Sequence, residues 1–301
     1  MAIEGAAATA ALAEARRLRA IGLAVAAFAC FGLLDGSAKY LGSIGFPLVA
    51  VIWFRFAGHV LLSSLTMRGA DPVRLLRTPR WRLQLLRGLF LFGSTLCNFL
   101  AVRYLQLAET GAINFAIPLF VAALAVPVLG ERVGPRRWAA IVVGFVGVLV
   151  IIRPTPELFQ PAMLLSLGTV ICTALYVLAT RMVAQTDGHQ TSNAYAAVVG
   201  LAVTTPLVPF FWVTPSGIEW LPVLGLGLFG GLGHYLLTAA HQYAPAPVIA
   251  PMWYTQILWG ILIGYLVFAD LPDAFTLVGA AIVLASGLYV WYRERLRAGV
   301  A

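Results

Sequence analysis

The stretch GVLVIIR at 147–153 returns as GLYVWYR at 287–293, and CFGLLDGSAKY at 30–40 lies over CTALYVLATRM at 172–182. Cys30 thereby meets Cys172, and Lys39 meets Arg181. Between these two matches AVRY (101–104) falls on AAHQ (239–242), and Glu131 falls on Asp270. The offset runs only from 138 to 142 along the series. Each match alone is weak, but their order and near-constant spacing mark an internal repeat.

The repeated unit is apolar, and length sets what it contains. A membrane-spanning helix takes about 20 mostly apolar residues. Ten such runs occur, at 20–41, 47–67, 83–104, 109–129, 136–152, 161–182, 192–213, 218–241, 247–268 and 274–292. Turn and charge signals separate them: Arg77-Thr78-Pro79-Arg80, Gly130-Glu131-Arg132, Arg153-Pro154-Thr155-Pro156, Thr186-Asp187-Gly188 and Asp270-Leu271-Pro272-Asp273. Five spans per copy is an odd number, so the second copy enters the membrane with the opposite orientation.

The basic residues agree. Arg16, Arg17 and Arg19, then Arg68, Arg74, Arg77, Arg80, Arg82 and Arg87, then Arg132, Arg136 and Arg137, and finally Arg293, Arg295 and Arg297 all fall on one side. The other side receives only Lys39, Arg103 and Arg153. Cytoplasmic loops carry the Lys/Arg excess, so both termini are expected in the cytoplasm, in a bacterial-type inner membrane. The fold expected is an all-α polytopic membrane protein, with ten transmembrane helices as two inverted five-helix repeats around a central cavity. Its parts are a cytoplasmic tail over 1–19, a first repeat over 20–153, a second over 161–292 and a cytoplasmic tail over 293–301. Inverted repeats are characteristic of secondary transporters, because one unit in two orientations gives two related conformations, each open to one side.

Composition excludes several alternatives. The chain of 301 residues is 61% hydrophobic and 11% charged, against about 45–50% and about 25% in ordinary globular chains. A soluble core could not hide that much apolar surface. The net charge of +8 reads as topology signal rather than nucleic-acid binding. Arg16, Arg17 and Arg19 before an apolar run resemble the start of a signal peptide, but that span has a mid-chain counterpart and is expected to be structural. Cys30, Cys97 and Cys172 lie inside apolar runs, with neither metal spacing nor a disulfide pattern. No metal or cofactor is expected.

Ionisable residues within spans are costly and mark function by default. Asp35 and Arg55 lie at similar depths, about 9 and 12 Å from one face at the helical rise of about 1.5 Å per residue. Together they suggest an ion pair, either structural or part of transport. Lys39 lies four residues beyond Asp35 on the same helical face and is a rival partner. His59, one turn deeper than Arg55, is either a packing residue or a proton carrier. Tyr176, His234, Tyr235, Trp253, Tyr254, Gln256 and Trp259 offer aromatic and uncharged polar contacts suited to a planar or amphipathic solute. Interfacial belts account better for Trp212, Trp220, Trp291 and Tyr292. Asn98 and Asn114 are either cavity residues or interhelical glue.

GLFGGLG around Gly225–Gly233 lacks the strand, turn and Lys-Ser/Thr ending of a phosphate loop, and it reads with Gly144 and Gly147 as close helix packing. Pro118, Pro127, Pro206, Pro209, Pro247 and Pro251 interrupt spans and are expected to kink them. An intramembrane enzyme would need a constellation such as paired aspartates or a His/Glu metal site; His234 and His241 share a face without a carboxylate in their span. A primary pump would need a Walker motif, and a channel a charged ring or filter loop; neither occurs.

YLQLAETGAINFAIPLF (104–120), LGERVGPRRWAAIVVGFVGVLVIIRP (129–154) and APMWYTQILWGILIGYLVFADLPD (250–273) resemble the EamA-type ten-helix branch of the drug/metabolite transporter superfamily. The resemblance covers about 20–292. It implies a ten-helix basket with a central cavity that moves a small organic solute. Protons are a candidate coupling ion, the lipid bilayer the other partner. Such proteins export amino acids or other metabolites, and some import riboflavin or S-adenosylmethionine. Members often carry basic residues in the ninth-span motif where this chain has Trp253 and Gln256, which argues against an anionic solute. With few fixed charges in the spans, export of an aromatic or large apolar amino acid is the first expectation, and import of a planar metabolite the alternative.

Overall fold

The structure, a computed structural model, describes residues 2–66, 76–130, 134–153, 160–184, 186–244 and 246–298. Arg68, Arg74, Glu131, Arg132, Pro154, Thr155 and Pro156 lie outside them. The helices are α1 (Ala2–Ser43), α2 (Leu48–Thr66), α3 (Trp81–Ala101), α4 (Leu107–Asn114), α5 (Ile117–Leu129), α6 (Pro135–Ile152), α7 (Ala162–Val183), α8 (His189–Thr204), α9 (Val208–Phe211), α10 (Trp220–Tyr243), α11 (Ala246–Ile249), α12 (Gln256–Phe268) and α13 (Ala274–Ala298). No strand occurs among the described residues. Helix is the only open element that satisfies its own backbone in lipid.

Among the described residues, nine helical segments are long and apolar enough to cross a membrane. The run expected over 192–213 is the exception. It is split into the 16-residue α8 and the four-residue α9, because Pro206 has no backbone donor for the carbonyl four residues earlier and its ring crowds that turn. The expected fourth span is broken between α4 and α5, and the ninth consists of α11, a 3-10 stretch Ala250–Thr255 and α12. Pro118 and Pro251 stand at the starts of the segments after the breaks, while Pro127 sits inside α5 without ending it. Large apolar side chains face outward in rows: Leu221, Leu224 and Leu228 on α10, and Leu258, Leu262 and Leu266 on α12. Lipid accommodates such rows where water would not.

The packing carries the repeat. α1 lies against α10, and α3 lies against α7; exchanging each span for the one five further on turns the first pair into the second. α2–α10 becomes α3–α8, and α1–α12 becomes α7 against α4–α5. The pairs α6–α13 and α2–α8 and the contact between spans four and nine map onto themselves. Close approaches follow the same rule. Gly58 of α2 meets Gly227 of α10 backbone to backbone, whereas the equivalent crossing sets Gly88 of α3 against the Val199 side chain of α8. Even the helix ends match. α5 stops at Gly130 with φ 70° and α12 at Ala269 with φ 57°, both left-handed.

Candidate functional site

A cavity of about 310 Å³ lies between the two repeats. α1 contributes Phe28, Phe31, Leu34 and Asp35 to its wall, and α7 contributes Thr169, Thr173, Tyr176 and Val177. α3 presents Leu91, Ser94, Thr95, Asn98 and Phe99, and α10 presents His234, Leu237, Thr238 and His241. The two broken spans line it at their breaks: Asn114 ends α4 and Ile117 begins α5, while Trp253 lies in the 3-10 stretch and Gln256 begins α12. Backbone irregularity at membrane depth is tolerated where it borders such a cavity. At offsets within the repeat range, Leu34 answers to Tyr176, Asp35 to Val177, Ser94 to His234 and Asn98 to Thr238. Asn114 then answers to Trp253, and Ile117 to Gln256. Arg55 of α2 joins the wall with no α8 residue opposite it among the lining residues.

The ion pair expected between Asp35 and Arg55 does not form. Asn98 Nδ2 donates to Asp35 Oδ1 at 2.8 Å, and Gln256 Nε2 reaches Oδ2 at 3.5 Å. Depth along the helices matched the acid to the arginine, but two amides from other spans reach the acid first. Lys39, the rival, is also elsewhere. Its Nζ donates to Asp270 Oδ2 at 2.7 Å and to the Leu105 carbonyl at 2.8 Å, at the end of the bundle opposite Arg77, Arg80, Arg136 and Arg137.

Arg55 is 3% exposed. Its Nη2 donates to His234 Nε2 at 3.4 Å, and its guanidinium lies 4.2 Å from the Phe56 ring centroid. Nε and Nη1 are buried without a hydrogen-bond partner, as are Asn98 Oδ1 and Asn114 Oδ1. Such atoms are costly to leave unmade, and Arg55, Asn98 and Asn114 all line the cavity. His59 stands behind the wall: its ring stacks on His234 at 5.0 Å, and Nε2 donates to Asn193 Oδ1 at 3.2 Å.

Six of the eight expected solute contacts line the cavity: Asn98, Asn114, Tyr176, His234, Trp253 and Gln256. Tyr254 does not. It packs edge-to-face on Phe115 at 5.0 Å, and its hydroxyl occupies the space that a side chain on Gly287 would fill. Trp259 does not either; it packs on Gly32 of α1. Sequence depth alone could not choose between one face of a helix and the other. Arg87, counted among the cytoplasmic loop arginines, is instead inside α3 and 2% exposed. It donates to Gln84 Oε1 and Thr180 Oγ1 at 3.1 and 3.2 Å and to the Ser192 carbonyl, and it lies 5.0 Å from the Tyr176 ring. Its place six residues into the helix, beside Gln84 one turn earlier, was the signal available.

A helical membrane protein with an internal two-fold repeat around a cavity of mixed apolar and polar lining, entered by two broken spans, has the architecture of a secondary transporter. The EamA-like transporter family model matches twice, at residues 18–153 and 160–292. The chain belongs to the EamA-like transporter family. It is 30% identical to an S-adenosylmethionine uptake transporter of Rickettsia felis, covering 87% of this chain and 88% of that one. It is 28% identical to a riboflavin transporter of Vibrio cholerae, covering 89% and 91%, and 27% identical to the pseudopaline exporter CntI of Pseudomonas aeruginosa, covering 88% and 93%. A solved crystal structure at 19% identity shares the fold, with a TM-score of 0.59 over 91% of this chain and 95% of that one.

Proposed function

We propose that the transported solute is a zwitterion bearing a planar ring system, with S-adenosylmethionine the lead compound, moved across the inner membrane by alternating access. The observation that carries this reading is one acid and one guanidinium facing the same cavity without pairing to each other, among Phe28, Phe31, Phe99, Tyr176 and Trp253. Nε and Nη1 of Arg55, which have no hydrogen-bond partner among the described residues, leave guanidinium N–H groups for a charge-assisted hydrogen bond to a carboxylate. Asp35 and the surrounding aromatic faces suit an ammonium or sulfonium. Tyr176 and Trp253 suit a ring. The names of the Rickettsia relatives point the same way. Riboflavin fits less well, because an uncharged solute brings no charge to meet the Asp35 carboxyl and the Arg55 guanidinium.

A free aromatic amino acid has the same charged head, and its export is the second reading. The orientation with both termini cytoplasmic follows from the arginine-rich end. Asp35 is the candidate for proton coupling, since it is the carboxylate in the wall. Liposomes carrying the purified protein test the reading with labelled S-adenosylmethionine, tryptophan and riboflavin, each with and without a pH gradient. S-Adenosylmethionine is expected to exchange fastest, and transport of riboflavin alone would overturn the assignment.

A further inference from the structure

Lys39 holds the end of the bundle near the α12–α13 turn. Its contacts with Asp270 and the Leu105 carbonyl join α1 to the turns on either side of it, and the ammonium lies 5.1 Å from the Phe268 ring. The pair is largely sheltered, with side-chain exposures of 14% for Lys39 and 29% for Asp270. A sheltered ammonium separated from its carboxylate needs another counter-charge. Glu109 of α4 lies within electrostatic reach of Lys39, and a second carboxylate stands a single turn back. Asp35 precedes Lys39 by four residues on α1, the acid-before-base order in which helical pairs attract. In the present arrangement Asp35 receives, among the described residues, the amides of Asn98 and Gln256.

We propose that Lys39 is an exchangeable counter-ion that sets how tightly the cavity holds its solute. While Asp270 holds Lys39, Asp35 is available to the solute's cationic group. Opening of this end separates α1 from Asp270; Lys39 then turns back to Asp35 and competes with the solute for it. Opening and release are thereby one event, and the carrier binds more tightly from the arginine-rich end than from the Lys39 end. This inference rests on the reading of Asp35 as the site of the solute's positive charge.

Binding of labelled S-adenosylmethionine to the full-length protein in lipid nanodiscs tests it. Asp270→Asn, which releases Lys39, should weaken binding by about tenfold, the effect of about 1.4 kcal/mol. Adding Lys39→Met to it should bring affinity back to within about twofold of wild type on the same scale. Lys39→Arg keeps the charge and grips Asp270 with a fork; it should bind at least as tightly as wild type and turn over more slowly, which keeps the test open if Asp270→Asn fails to fold. Weak binding by the double variant, wild-type affinity in Asp270→Asn, or faster turnover with weaker binding in Lys39→Arg would overturn the exchange while leaving the cavity reading intact. Wild-type affinity in Asp35→Asn, or no binding by the wild type, would overturn both.

Discussion

The two repeats share a plan of helices and divide the chemistry. α1 and α7 turn the same stripe toward the cavity, Phe31, Leu34 and Asp35 on one and Thr173, Tyr176 and Val177 on the other. Asn98 and Thr238 hold equivalent places on α3 and α10. Yet the carboxyl and the guanidinium of the wall, Asp35 and Arg55, both come from the first repeat. The second supplies Tyr176, His234, Trp253 and Gln256. Symmetry of the backbone serves the change between conformations, which requires two halves that can exchange roles. Recognition has no such requirement. An asymmetric wall gives the cavity a charged side and an aromatic side, and a solute with one charged end can then bind in a defined pose.

The largest expected effect comes from moving the charge across the repeats. Exchanging Asp35→Val for Val177→Asp restores the charge count at the equivalent place. Asn98 and Gln256, which hold the acid, have Thr238 and Ile117 as their counterparts, so the new carboxylate lacks those amides. S-Adenosylmethionine affinity should fall about 100-fold or more and stay there, the range of about 2–5 kcal/mol for losing one side of a buried charged contact. Recovery in this variant, read by equilibrium binding, would mean that chemistry follows the symmetry.

Packing separates the repeats next. A methyl at Gly58 would run into the Gly227 backbone, whereas one at Gly88 would meet the Val199 side chain at 2.7 Å. Gly58→Ala should destabilise by about 1–3 kcal/mol or more, as overpacking does, with no rescue from position 227. Gly88→Ala should be rescued by Val199→Ala. Thermal unfolding followed by size-exclusion chromatography distinguishes the two, and an equal response at both crossings would break the contrast.

A smaller effect separates Tyr176 from Tyr254. Tyr176→Leu should weaken binding of the planar solute by about two- to tenfold, matching about 0.5–1.5 kcal/mol of ring contact beyond area, with a smaller loss of stability than Tyr254→Leu. Tyr254→Leu should lower stability and leave affinity alone. The reverse pattern in the same two assays would remove Tyr176 from the site. The smallest effect is at the helix ends. Ala269 takes the left-handed conformation that Gly130 takes in the other repeat, at a cost of about 1 kcal/mol for a residue with a Cβ. Ala269→Gly should raise the unfolding temperature slightly, and a fall would show that the alanine methyl is needed where it packs.

Much of this was legible in the sequence for simple reasons. Spans are set by length and hydropathy, so ten runs and their repeat could be read directly, and the breaks in spans four, seven and nine lay where Pro118, Pro206 and Pro251 stand. The cavity was half legible. Depth along a helix follows from counting residues, which is why Asn98, Asn114, Tyr176 and Gln256 were found. The direction that each residue faces depends on which helix packs against which, and that misplaced Tyr254 and Trp259. Charge pairing failed for the same reason: Asp35 and Arg55 agree in depth, but Asn98, Gln256 and His234 arrive from distant spans. Arg87 was read as a topology signal because a sequence shows its charge and not its burial.

The central claim is that the charged side of the cavity answers the charges of the solute, and one comparison of affinities tests it. S-Adenosylmethionine and 5′-methylthioadenosine share the planar adenosyl group, but the second lacks the sulfonium and the amino-acid head. Their dissociation constants should be measured for the wild type and for Asp35→Asn in lipid nanodiscs. The wild type should prefer S-adenosylmethionine by about 100-fold, the scale of about 2.8 kcal/mol, and Asp35→Asn should lose most of that preference while binding 5′-methylthioadenosine as before. A preference that survives Asp35→Asn unchanged, or affinities that fall equally for both compounds, would contradict the account.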